Sequence, residues 1–225
     1  MINSLTIKIA EYSTFLFDCD GVVLDSNSIK SDAFGEIAQQ FGSEIRDQFV
    51  AYHKDNGGIS RFDKIRYLVE RLLGQSNSPH LVNFLISSFG EICKKELAAS
   101  TECSGVRHLL EMLHENQKVI HVVSGGLETE LIDVFSLKGF TRFFSTINGS
   151  PRDKKRILSD LKSANALVGK CLFFGDSRAD HESAKYIGAD FIFVSDYTEF
   201  RDWVQYTEVH QVPVIRSFDG LRVVQ

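Results

Sequence analysis

The chain is poor in cysteine, has no surplus of basic residues and lacks any long apolar run, and each shortage excludes a class of protein. Four cysteines in 225 residues, Cys19, Cys93, Cys103 and Cys171, are too few for a disulfide scaffold, and no two stand in CxxC spacing. They read as free thiols in a reducing compartment, each serving as a small hydrophobe. Lys and Arg number 25 against 30 Asp and Glu, giving a net charge of −5 with no basic tract. An acidic chain of this kind is poorly suited to nucleic acid. No stretch reaches the roughly 18 apolar residues of a transmembrane helix. The opening MINSLTIKIAEYS lacks the basic start and apolar block of a signal peptide. The expectation is a cytoplasmic protein, monomeric or weakly dimeric, with no nucleic-acid or membrane partner.

What the chain does have is core-forming sequence. Hydrophobic residues make up 43% and charged residues 24%, a globular balance with no sign of wholesale disorder. The length suits one large domain, or one domain carrying an insertion. Short apolar runs recur at Thr14–Phe17, Val119–Val123, Phe143–Ile147, Cys171–Phe174 and Phe191–Val194. Their unbroken apolarity predicts strands buried on both faces of a parallel sheet. Helical patterns over Leu127–Leu137, Lys154–Lys162 and Asp180–Ile187 alternate with the later runs, which predicts a doubly wound α/β fold. Residues 26–100 break this rhythm. They hold no convincing strand, only amphipathic patterns at Ala33–Phe41, Arg61–Leu73 and Leu81–Leu97, so they read as a helical subdomain inserted after the first strand. Val212–Ile215 contains Pro213 and can be an edge strand at most.

Four motifs follow predicted strands. In DCDGVVLDS, Asp18 and Asp20 stand two apart at a strand end, so an extended chain points both carboxylates to one side, and Gly21 permits a sharp turn. In VVSGG, Ser124 precedes Gly125 and Gly126 and then a helix, a setting in which a hydroxyl and free N–H groups suit a phosphate. In SPRDKKRIL, Lys154 or Lys155 falls in a first helical turn, where a cation opposes the helix dipole. In LFFGDSRAD, Asp176 ends a strand and Asp180 follows four residues later; carboxylates from two strand ends could share a hard cation such as Mg²⁺. Each motif alone also has a structural reading: a strand-end turn, an N-cap serine, a surface lysine, a pair of helix caps. The seven histidines show no ligand spacing and read as ordinary surface or core residues.

The order of the four motifs resembles the haloacid dehalogenase superfamily, in particular its small phosphatases and mutases, over nearly the whole chain. The resemblance implies a doubly wound core of residues 1–25 and 101–225 and a helical cap of 26–100. It implies Asp18 as nucleophile, forming an aspartyl-phosphate, and Asp20 as general acid and base. Mg²⁺ would be held by Asp18, the Asp20 backbone carbonyl and Asp176, with Asp180 behind them. Ser124, Gly125 and Lys154 or Lys155 would hold phosphate. Gly58-Ile59-Ser60-Arg61 is similar to a Gly-Val-Ser-Arg stretch in the cap of β-phosphoglucomutase-type members, which implies that Arg61 faces substrate. Gly57 and Lys30 stand where those members carry a lysine and a histidine, and this favours hydrolysis over transfer. The expected activity is a phosphatase for a small phosphorylated metabolite, either a sugar phosphate or a short phosphorylated acid. The alternatives are a phosphosugar mutase and, in another class, a non-enzymatic phospho-receiver module.

Overall fold

The computed structural model describes residues 5–224. In chain order, β1 (Leu5–Lys8), β2 (Thr14–Phe17) and β3 (Leu24–Asp25) lead into four helices: α1 (Asn27–Gln39), α2 (Ser43–Asp55), α3 (Arg61–Tyr67) and α4 (Pro79–Ala99). The chain returns through β4 (Thr101–Glu102) to α5 (Val106–Glu115) and β5 (Val119–Leu127). It continues through α6 (Glu128–Leu137), β6 (Thr146–Ser150), α7 (Lys154–Ser163), β7 (Cys171–Gly175) and α8 (Arg178–Ile187). It closes with β8 (Asp190–Val194), α9 (Trp203–Val209), β9 (Val214–Ile215) and β10 (Leu221–Val224).

The main sheet has six strands in the order β6-β5-β2-β7-β8-β9, all parallel. Its central strand explains the layering. All four residues of β2 are buried, and alternate side chains enter opposite faces. Phe15 and Phe17 join one core with Leu109, Leu110 and Leu113 of α5 and Phe135 of α6. Leu16 joins the other with Ile157 and Leu158 of α7 and Ala184 of α8. Helices therefore cover both faces, as the apolar runs predict. The carboxyl ends of β2, β5 and β7 lie side by side, and open parallel sheets take ligands at that edge.

The helical insert leaves and re-enters through the antiparallel pair β3–β4, with Asp25 opposite Thr101. Its longest helix, α4, buries Leu85, Phe89, Cys93 and Leu97, one residue per turn along a single stripe. Phe34 of α1 packs on Phe89 with ring centroids 4.1 Å apart. Among the described residues, no helix is long and apolar enough to cross a membrane.

Several sequence expectations need correction. Phe143–Ile147 is not a strand: Thr141–Phe143 form a 3-10 turn, and the strand begins at Thr146. The rings of Phe135, Phe140, Phe143 and Phe144 pack on one another, so this Phe-rich run serves the core as an aromatic cluster rather than as a strand. Asp180 does not open its helix. Ser177 is the N-cap, and Asp180 sits three residues on in a capping box. Ser124 and Gly125 do not stand at a helix N-terminus either, because β5 continues to Leu127 through an irregularity after Val123. The pattern of Arg61–Leu73 is helical, but Leu68–Leu72 widen into a π-turn. β9 is an edge strand shortened to Val214–Ile215, and the Pro213 carbonyl still accepts a bond from Phe193 N–H at 2.9 Å.

Candidate active site

Asp18 directly follows the last residue of β2. Its N–H donates to Phe174 O of β7 at 3.0 Å, so the sheet itself sets its position. One carboxylate oxygen accepts from Cys19 N–H at 2.7 Å, and the other lies 3.0 Å from Lys154 Nζ. Cys19 O then accepts the N–H groups of Val22, Val23 and Leu24, which turns the chain back. Gly21 is required in that turn. It has φ +74, and a Cβ there would come 2.3 Å from Asn27 Nδ2 and 2.4 Å from Asp176 Oδ2.

Asp20 points from the same turn toward α1. It accepts from Ser26 Oγ at 2.6 Å and pairs with the ammonium of Lys30. Burial alone would raise its pKa, but Lys30 and then Ser26 outweigh that and hold the carboxyl below its usual range. Asp18 departs the other way. Burial, then repulsion from Asp180, pushes its pKa up to about 7 against the pull of Lys154. Asp176, at the end of β7, accepts from Asn27 Nδ2 at 2.6 Å, yet burial and its acidic neighbours Asp18 and Asp180 hold its pKa well above the usual carboxylate range.

Asp18, Asp176 and Asp180 each place a carboxylate oxygen within 4.8 Å of the others, all buried. The donors are all oxygen and the charge is in excess, which is the environment a hard divalent cation neutralises. Asp180 is already committed elsewhere: it pairs with Lys154 and accepts from Ser177 N–H at 3.1 Å. That leaves Asp18 and Asp176 freer to meet an ion.

The structure separates the two candidate lysines. Lys154, the first residue after the N-cap Asp153, is buried between Asp18 and Asp180, while Lys155 is exposed. Burial would lower the Lys154 pKa, but Asp18 and Asp180 raise it on balance. Ser124 is fully buried, its hydroxyl accepting from Gly126 N–H at 3.0 Å. Gly125 touches the insert: a Cβ there would come 2.4 Å from Gly58 O.

Arg61 lines the same cavity as Asp18, Asp20 and Gly125, but its charge is spoken for. Its guanidinium makes a two-pronged pair with Glu130 of α6, one prong at 2.8 Å, and lies 4.6 Å from the Phe89 ring centroid. It is thus a clamp between insert and core. Sequence reasoning does not single out Asn27, His53, Lys64 or Glu130 as site residues. A signal for Lys64 exists: it follows Arg61 by three residues, which puts two charges on one helix face beside the buried Ile65.

Comparison with known proteins agrees with this geometry. The sequence matches the haloacid dehalogenase-like hydrolase family over residues 15–194, and the chain belongs to that family. Among curated proteins it is 23% identical over 185 residues to a phosphorylated carbohydrates phosphatase of Thermotoga maritima, covering 79% of this chain and 82% of the relative. Among solved structures, a β-phosphoglucomutase from Clostridium difficile superposes with TM-score 0.73 at 19% identity, covering 94% of this chain and 93% of the other. A predicted phosphoglycolate phosphatase from Haemophilus somnus superposes with TM-score 0.72 at 17% identity, covering 92% and 95%.

Proposed function

We propose that the protein is a Mg²⁺-dependent phosphatase for a small phosphorylated metabolite, working through an aspartyl-phosphate, with residues 26–100 as a cap over a core of 1–25 and 101–225. The observation that carries this reading is the setting of Asp18, buried at a strand end between the Lys154 ammonium and the Asp176 carboxylate.

Hydrolysis of a phosphate monoester is very slow without a catalyst, and a covalent intermediate divides it into two easier steps. Asp18 attacks phosphorus and the ester oxygen leaves; water then attacks the phosphoenzyme and restores Asp18. Lys154 offsets negative charge on the transferring group, and Ser124 with the Gly125 N–H orients phosphate oxygens. Asp180 keeps Lys154 in place. Asp18, the Asp20 carbonyl and Asp176 would hold Mg²⁺, which when bound supplies charge neutralisation for the phosphoryl group.

Asp20 protonates the leaving oxygen and then takes a proton from water. In the free protein Lys30 keeps it ionised, the form needed for the second step. A substrate dianion nearby raises the carboxyl pKa and promotes the protonated form needed for the first. Closure of the insert over the cavity excludes bulk water and limits substrate size.

The direct test is release of inorganic phosphate from a panel of phosphorylated metabolites with Mg²⁺, compared with Asp18→Asn. Sustained, metal-dependent release by the wild type and none by the variant is expected. Stoichiometric phosphorylation without turnover would instead indicate a receiver, and transfer to a second sugar carbon would indicate a mutase.

A further inference from the structure

The insert side of the cavity holds one cation that phosphate chemistry leaves unused. Lys64 lies on α3, is 2% exposed and lines the same cavity as Asp18 and Asp20. The other cations around that chamber already have carboxylates: Lys30 has Asp20, Arg61 has Glu130, and Lys154 has Asp18 and Asp180. Lys64 has no carboxylate partner among the described residues. Its Nζ instead bonds His53 Nδ1 at 2.7 Å and lies 5.6 Å from the Phe34 ring centroid.

A buried ammonium without a counter-charge is costly. Burial, then repulsion from Lys30, pulls the Lys64 pKa down to about 7. Burial, then repulsion from Lys64, keeps His53 well below its ordinary value, hence neutral. A neutral imidazole accepting at Nδ1 fixes the direction of Nζ without cancelling its charge. The remaining ammonium donors are left for something that enters the chamber.

We propose that Lys64, oriented by His53, seats a carboxylate of the substrate, so that the substrate class is a small phosphate monoester of a hydroxy acid. This rests on the phosphatase reading and narrows it. A phosphate ester of an uncharged sugar would bring no second anion to Lys64, and a site whose buried polar group is left without its partner discriminates against such a ligand. Lys64 offers one positive charge, which a carboxylate balances, whereas a second phosphate would bring about two negative charges to it.

The test uses O-phosphorylated hydroxy acids of two to four carbons, each beside its carboxamide and the bisphosphate of equal length. An aryl phosphate tests the underlying activity separately: if the wild type cannot hydrolyse it with Mg²⁺, the phosphatase reading fails. Given that activity, the wild type is expected to prefer at least one acid over its amide by roughly tenfold or more in kcat/KM. The Lys64→Gln variant should lose most of that preference, and Lys64→Arg should regain part of it. An active wild type with no preference for any acid overturns the carboxylate seat, whether or not the variants fold. A preference for the bisphosphate over the acid does so as well, as does an acid-to-amide ratio unchanged in folded Lys64→Gln.

Discussion

The floor of the cavity is acidic and its roof is basic, and the two are built by different means. The floor comes from strand ends: Asp18 and Asp176 directly follow the paired parallel strands β2 and β7, and Asp18 N–H still bonds Phe174 O. The roof comes from helix faces of the insert, where Lys30, Arg61 and Lys64 reach inward from α1 and α3. Each surface gathers like charges out of water and is perturbed accordingly. Floor carboxyls are pushed up, Asp18 to about 7, and the unpaired roof ammonium of Lys64 is pulled down to about 7. Where roof meets floor the strain is relieved, as Lys30 finds Asp20 and Arg61 finds Glu130. The difference teaches that the floor holds more carboxylates than Lys154 balances, an excess a metal can neutralise, while the roof holds in Lys64 an ammonium that a substrate anion can balance.

Breaking the floor should have the largest effect. Asp18→Asn keeps the shape but removes the nucleophile, and phosphate release should fall by on the order of 10⁴-fold or more. Steady-state assays with folding checked by circular dichroism decide this, and near-normal turnover would exclude the covalent route. Asp20→Asn should cost roughly 10²–10⁴-fold, with less loss for an aryl phosphate whose leaving group needs no proton. Equal losses for aryl and alkyl esters would remove the acid role.

Metal removal sharpens the contrast without a mutation. The Asp18 pKa is raised from 3.8 to about 7 in the folded chain, and Asp176 is raised as well. Their contribution to stability is therefore complete below about pH 4 and is lost as pH climbs through about 7. Chelated protein should become less stable across that window. Mg²⁺ at about a hundredfold excess over its Kd should raise Tm by roughly 5–10 °C. The gain should be larger at pH 8 than at pH 5, where the carboxylates are more protonated. Thermal scans with and without chelator at both pH values test this, and an equal or absent shift would count against the floor as a cation site.

The smallest effect concerns the contact between roof and floor. Arg61→Ala should lower kcat/KM about tenfold for a substrate that fills the cavity, about 1.4 kcal/mol, and less for an aryl phosphate. If Arg61 acts as a clamp, Glu130→Gln should reproduce most of that loss. The double variant should then be little worse than either single one. Additive losses would return Arg61 to direct substrate contact.

The floor is largely legible in the sequence. Motifs on parallel strands inherit their positions from the sheet, so Asp18, Asp176 and Lys154 converge although they lie far apart in the chain. The roof is much less so. Helix α2 gives little signal, and His53 is hidden with it, because the helix runs between two polar turns and buries only Phe49 and His53. Helix α5 is absent from the predicted elements, although Val106, Leu109, Leu110 and Leu113 recur at helical spacing and are all buried. In the sequence Lys64 looks like one more surface charge. Its i,i+3 spacing from Arg61 places it on the face of Arg61, but whether that face meets water or a chamber depends on how the helices pack. Glu130 is invisible for the same reason, since its partner lies 69 residues away.

One consequence lies in the place where Gly58 and Gly125 meet. A Cβ on Gly125 would fall 2.4 Å from Gly58 O and 2.9 Å from its carbonyl carbon, so insert and core touch there backbone to backbone. A side chain can turn aside to admit a larger guest, but a peptide plane cannot. At this junction only glycine fits the observed separation between insert and core. Any side chain larger than a hydrogen at Gly125 would therefore have to push main chain apart to be accommodated.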